Sequence, residues 1–197
     1  MNDLGGFLII LSAPSGCGKT TILSRLLKRH PEWARSISVT TRKPRLGEKQ
    51  GRDYAFVSKE EFASLKKKGE FLESAEIFGN QYGTKKKFIE DAVRKGKAAV
   101  LTIDVEGARS VKKTLKGKIP FFSIFILPPS MSALRERLEG RSTDSPEEIE
   151  KRIQRAEEEI KEARDYHGTV INHDLDQTVH EIEDLIENFK KKLERRK

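Results

Sequence analysis

Gly16, Gly18, Lys19 and Thr20 stand together in "SAPSGCGKTT", directly after the apolar run Phe7–Leu11, and this grouping suits the handling of phosphate. The strict phosphate-loop pattern is G-x-x-x-x-G-K-[ST]. Gly18, Lys19 and Thr20 meet its last three positions, and Ala13 replaces its first glycine. A chain that leaves a buried strand and turns into a helix presents backbone N–H groups where the helix dipole favours an anion. Lys19 has the reach for the outer phosphates, and the Thr20 hydroxyl is a ligand for Mg²⁺. Ala13 adds only a methyl group and suits that position wherever φ is negative. Pro14, Ser15 and Cys17 complete the loop, with Cys17 read as a small tolerated residue.

Three other stretches carry residues with chemistry in them. In "SISVTTRKPRLGEKQGRDYAF", Arg42 and Arg45 lie three apart, Ser38 and Thr41 precede them and Tyr54 follows. Guanidinium groups match a phosphate better than ammonium groups do. An exposed basic turn fits those residues equally well. In "GEFLESAEIFGNQYGTKK", Glu73 falls between Phe71-Leu72 and Ile77-Phe78. It reads either as a solvated face residue or as a base reader, since a carboxylate accepts from guanine N1–H and N2–H₂ together. Adenine lacks that pair, and a buried polar site of this kind discriminates by about 10⁴–10⁵. In "LTIDVEG", Asp104 ends an apolar strand on the side where parallel sheets bind ligands, placed for hydrated Mg²⁺ or for Lys19. Arg137 and Arg152 lie on either side of the polar stretch Glu139–Asp144, which reads as a mobile lid, and Arg141 lies within it; each fits plain surface charge, and together they suit closure over phosphoryl charge.

The elements that must position these residues alternate. Phe7–Leu11, Ala98–Asp104, Pro120–Leu127 and Thr169–Asn172 are strand candidates, and helices follow from Thr20, after Asp104, from about Ser130 and from Leu175. Such alternation predicts a parallel sheet covered on both faces. Residues 36–95 have few large aliphatics and read as a mixed, partly β insertion. Ser145, Pro146 and Glu148 spell a capped helix start.

With 197 residues, 36% hydrophobic and 36% charged, the chain suits one core with a small insertion. No apolar run approaches the roughly 20 residues of a membrane span. A single cysteine points to the reducing cytoplasm. The net charge of +8 suits either nucleic acid or small, highly phosphorylated molecules. Aromatic residues are too sparsely interleaved for a specific nucleic-acid surface, and "KKKLERRK" reads as a solvated helix end.

Taken together, "SAPSGCGKT", "TTRKPRLGE", "GRDYAFV", "GEFLE", "YGT", "IDVEGA", "RLEGRSTDSPEEIEKRI" and "VINHDLD" resemble the guanylate kinase family, in its order and approximate spacing. The resemblance runs from about residue 5 to residue 190. It implies an α/β P-loop three-layer core with a parallel sheet (1–35, 96–138, 153–197). It also implies a small mixed α/β GMP-binding insertion (36–95) and a helical lid (139–152). The implied reaction is γ-phosphoryl transfer from ATP to GMP, and to dGMP, with Mg²⁺. By that likeness Ala13–Thr20 take the ATP phosphates and Asn172 lies near adenine. Ser38 and Glu73 read guanine with Thr84 and Asp104 close by, while Arg42, Arg45, Tyr54 and Tyr82 hold the GMP phosphate. Lys19, Arg42, Arg137, Arg141 and Arg152 stabilise the transferring group, and Thr20 and Asp104 serve the metal. Thr102 departs from an acidic residue that many family members carry two positions before this Asp. The alternative is a non-catalytic guanylate-kinase-like domain that binds proteins, a class that tends to degrade the loop that is intact here. Membrane and specific nucleic acid are not expected partners, and the sequence leaves monomer or homo-oligomer open.

Overall fold

The computed structural model describes residues 5–77, 79–140 and 145–195. Nine strands and seven α-helices follow one another among those residues. One sheet contains β1 (Phe7–Ser12), β2 (Ala34–Arg35), β7 (Ala98–Ile103), β8 (Phe121–Leu127) and β9 (Gly168–Ile171), in the order β2-β7-β1-β8-β9. The pairings β2–β7 and β8–β9 are parallel. All six residues of β1 are buried, which explains why it reads as an unbroken apolar run with no alternation. A second, four-stranded sheet has the order β4-β3-β6-β5, from β3 (Val39–Thr40), β4 (Ala55–Phe56), β5 (Phe71–Ile77) and β6 (Asn80–Lys85). The mixed α/β class expected from the sequence is what folds.

Two compact units emerge. One gathers the described residues up to Leu8 with Glu32–Leu101 and Glu106–Phe121. The other gathers Ile9–Pro31, Thr102–Val105 and the described chain from Phe122 onward.

The first unit holds the second sheet and two helices that the partly β reading of 36–95 left unmarked, α2 (Lys59–Lys67) and α3 (Lys86–Arg94). Ser58 caps α2 by accepting from the Glu61 N–H. Phe62 of α2 stacks on Phe71 of β5 with ring centroids 4.6 Å apart, tying helix to sheet. Phe71 in turn lies over Gly83, where a Cβ would come within 2.9 Å of the ring.

In the second unit the helices carry their expected signals. α5 (Met131–Glu139) is capped by Ser130, α6 (Pro146–Lys161) opens on the Ser145–Glu148 capping box, and α7 (Leu175–Glu194) is capped by Asp174. By contrast α1 (Lys19–Arg29) begins at Gly18 with no side-chain cap and no acidic residue in its first turn. Its leading N–H groups are thus left for something else. Among the described residues no helix is long and apolar enough to cross a membrane.

Candidate active site

The loop between β1 and α1 is set by two glycines. Gly16 has φ +98° and Gly18 φ +82°, in the region that L side chains rarely adopt. A Cβ on Gly16 would lie 2.8 Å from Leu134 of α5, and one on Gly18 would lie 2.7 Å from the Asn172 amide nitrogen. The positive φ requires glycine at both positions, and at Gly18 a Cβ would also displace the buried Asn172 amide. Asn172 is buried; its Nδ2 donates to the Cys17 carbonyl at 2.9 Å, and its own carbonyl accepts from Arg137 Nη2 at 3.0 Å. Asn172 thus braces the phosphate loop, and Arg137 braces Asn172. Arg152 comes from α6, and its Nη1 donates to Ser15 Oγ at 2.9 Å.

Lys19 is held back along the loop: Nζ donates to the carbonyls of Ala13 (3.1 Å) and Ile103 (3.2 Å). Burial lowers its pKa, while the carboxylates of Glu159 and Asp104 oppose that shift. Asp104 follows Ile103 directly and accepts from Arg155 Nη2 at 3.0 Å, and Arg155 Nε donates to Glu159 at 2.7 Å. Burial raises the pKa of Glu159, against the pull of Arg155 and Lys19. Arg155 and Glu159 escaped the sequence reading, although their i,i+4 spacing three residues after Arg152 was visible. The Asp104 carboxylate and the exposed Thr20 hydroxyl are hard oxygen donors. Among the described residues no group of three or more His, Cys, Asp or Glu could hold a metal by itself. That sparse oxygen set fits Mg²⁺, which takes one or two protein ligands and completes its shell with phosphate and water.

In the other unit, Glu73 is 6% exposed and its Oε1 accepts from the Thr84 hydroxyl at 2.6 Å. The two face each other across β5 and β6, and the register slips by one residue between Phe71 and Glu73. This β-bulge explains why Leu72 and Glu73, neighbours in sequence, are both buried: the extra residue turns Glu73 inward. Ser38 is half-buried, and its carbonyl accepts from the Ala55 N–H.

Arg42 forms the centre of a second cluster in this unit. Its guanidinium carbon sits 5.3 Å from the Tyr54 ring centroid and 5.8 Å from that of Phe56. Tyr54 meets Tyr82 edge-on, with centroids 6.1 Å apart. Arg42 Nη2 donates to both oxygens of Glu48, at 2.8 and 3.0 Å, and Glu48 also accepts from the Arg45 N–H at 2.7 Å. Burial acts to lower the Arg42 pKa, but hydrogen bonds to Glu48 and Tyr82 raise it overall. For Glu48, burial acts upward, and Arg42 with the Arg45 N–H brings the pKa down. Burial pushes the Tyr54 hydroxyl up and keeps it a neutral donor. Arg45 is exposed. The structure thus gathers Arg42, Tyr54 and Tyr82, and adds Glu48 and Phe56. Arg141 lies outside the described residues.

A parallel sheet with a glycine loop feeding an uncapped helix defines a phosphate-binding α/β protein. The family model described as guanylate kinase matches residues 6–189. A guanylate kinase from Wolbachia sp. subsp. Brugia malayi is 47% identical over 182 residues, covering 92% of each chain. One from Clostridioides difficile is 44% identical over 192 residues, covering 98% of this chain and 92% of its own. The crystal structure of guanylate kinase from Anaplasma phagocytophilum superposes with a TM-score of 0.79 at 36% identity, covering 94% of this chain and 86% of the other. The chain belongs to the guanylate kinase family, and is a kinase rather than a binding scaffold.

Proposed function

We propose that the protein transfers the γ-phosphoryl group of ATP to GMP, releasing ADP and GDP. The observation that carries this reading is the buried Glu73 carboxylate, turned inward by a bulge and already hydrogen-bonded to Thr84. A carboxylate buried there has reason to exist if it accepts from guanine N1–H and N2–H₂, with Ser38 and Thr84 completing the edge. The acceptor phosphate is held by Arg42, Arg45, Tyr54 and Tyr82. Glu48 holds the Arg42 fork, and a phosphate dianion offers that fork the same bidentate geometry with one more negative charge.

ATP lies on Ala13–Thr20, with Asn172 fixing the loop and bordering the adenine. An oxygen of the GMP phosphate attacks the γ-phosphorus in line, and the bond to the β–γ bridging oxygen breaks. Lys19 leaves its two carbonyl partners for the outer phosphates. Arg137 and Arg152, with Arg141 from the segment before α6, offset the charge spreading over the transferring group. Mg²⁺, held by Thr20 and Asp104, neutralises phosphate oxygens when bound. A reaction on free nucleotides suits the cytoplasmic pool, as the lone cysteine does.

The test is ADP release from Mg·ATP with GMP, dGMP, AMP and UMP offered separately. Turnover with GMP and dGMP at least 10²-fold above AMP is expected. Turnover with AMP or UMP in preference to GMP would overturn the reading of Ser38 and Glu73.

A further inference from the structure

Arg155 is a cation that the reaction above does not use, and it stands beside groups that the reaction does. Helix α6 brings Arg152, Arg155 and Glu159 toward the loop on one face, at spacings of three and four. Arg152 reaches Ser15 of the loop, and Arg155 reaches Asp104 and Glu159. Its side chain is 29% exposed, that of Asp104 10% and that of Glu159 12%. Charges at such depth interact strongly and are weakly screened by salt. Lys19, on the carbonyl of Ile103, is the second cation of this group. Two cations and two carboxylates cancel, so the loop faces an approaching polyphosphate with no net charge from this quartet.

We infer that Arg155 is a positioning residue that sets the balance between phosphate and metal at the ATP site. It neutralises Asp104 and Glu159, so that metal-free ATP is not repelled, and it occupies the same Asp104 carboxylate that the metal requires. Removing its charge leaves two carboxylates against Lys19 alone. Free ATP is then repelled, while the cation that accompanies Mg·ATP meets an Asp104 that Arg155 no longer holds. The two affinities move apart, so their ratio isolates this role from general damage to the fold. Neutralising Glu159 shifts the same balance the other way.

The experiment is calorimetric ATP binding to the intact protein, in EDTA and in excess Mg²⁺, with the ratio of the two dissociation constants as the readout. Arg155→Gln is expected to raise the Mg²⁺ enhancement roughly three- to tenfold, mainly by weakening the EDTA value. Arg155→Lys should keep the enhancement near that of the unaltered protein, and Glu159→Gln should lower it, which preserves the test if Arg155→Gln folds poorly. An unchanged ratio in both Gln variants overturns the inference alone. An equal rise in Arg155→Lys does so too, because charge would not be the cause. The inference rests on the reading of the loop as the ATP site: an unaltered protein that binds ATP in neither buffer overturns both.

Discussion

The loop Ala13–Thr20 and the cluster around Arg42 both gather groups suited to phosphate, and they are built from opposite materials. The loop works with backbone. Two glycines at positive φ lead into a helix with no side-chain cap, and a buried Asn172 holds the turn at the Cys17 carbonyl. The cluster works with side chains: a guanidinium over two aromatic rings, two tyrosines edge to face, and a carboxylate on the fork. Backbone donors need no counterion, whereas an arginine brought among aromatic rings does. Glu48 is therefore as much a part of the cluster as the arginine it holds. In the loop's unit, the charged side chains again come with carboxylates, Asp104 and Glu159.

The largest effect expected from this contrast is at Lys19, the one loop group whose charge is its function. Lys19→Ala should lower kcat about 10³-fold with little loss of stability, measured by steady-state ADP release and thermal unfolding. A drop below tenfold would shift the charge-handling role onto the arginines. Gly18→Ala attacks the backbone device itself. Its positive φ and the Asn172 amide at 2.7 Å predict destabilisation of about 2 kcal/mol or more in urea titrations, with ATP binding impaired in parallel. The side-chain device should fail differently. Arg42→Lys keeps the charge and loses both the fork to Glu48 and the contact with Tyr54 and Phe56. The KM for GMP should rise about tenfold while that for ATP stays put.

The smallest effect is acid sensitivity. The Glu48 pKa is depressed in the folded protein, so its contribution to stability is present above the ordinary value of 4.5 and is lost as pH falls through the depressed value. The stability gap between the unaltered protein and Glu48→Gln should accordingly narrow as pH drops below about 4.5, as followed by urea titration. A gap that stays constant with pH would mean that Glu48 acts by packing.

The same contrast explains what could be read from the sequence. "FLIILSAPSGCGKT" discloses its strand, loop and helix because each step is local: an apolar run, glycines, then Lys-Thr at a helix start. The Ser145–Glu148 capping box is legible for the same reason, and so is the mixed character of residues 36–95. The pairing of Arg42 with Glu48 and of Arg155 with Asp104 is not. These contacts depend on how a turn closes and which face of α6 lies over the loop, and charged residues crowd this sequence too densely to single out a pair. The bulge at Leu72 is equally silent, since a one-residue slip between β5 and β6 leaves no pattern beyond a Glu among apolar neighbours. Helix α2 did carry a signal in "SKEEF", a capping serine ahead of two glutamates, which the β-rich surroundings obscured.

The most direct test of the guanine reading is Glu73→Gln, assayed for kcat/KM with GMP and, separately, for ATP binding. Glutamine still accepts from the Thr84 hydroxyl but turns an amide donor toward guanine donors. A fall of about 10²–10³-fold in kcat/KM for GMP is expected, with ATP affinity unchanged. Equal losses on both sides, or none on the GMP side, would mean that the buried carboxylate serves the fold and that guanine is recognised elsewhere.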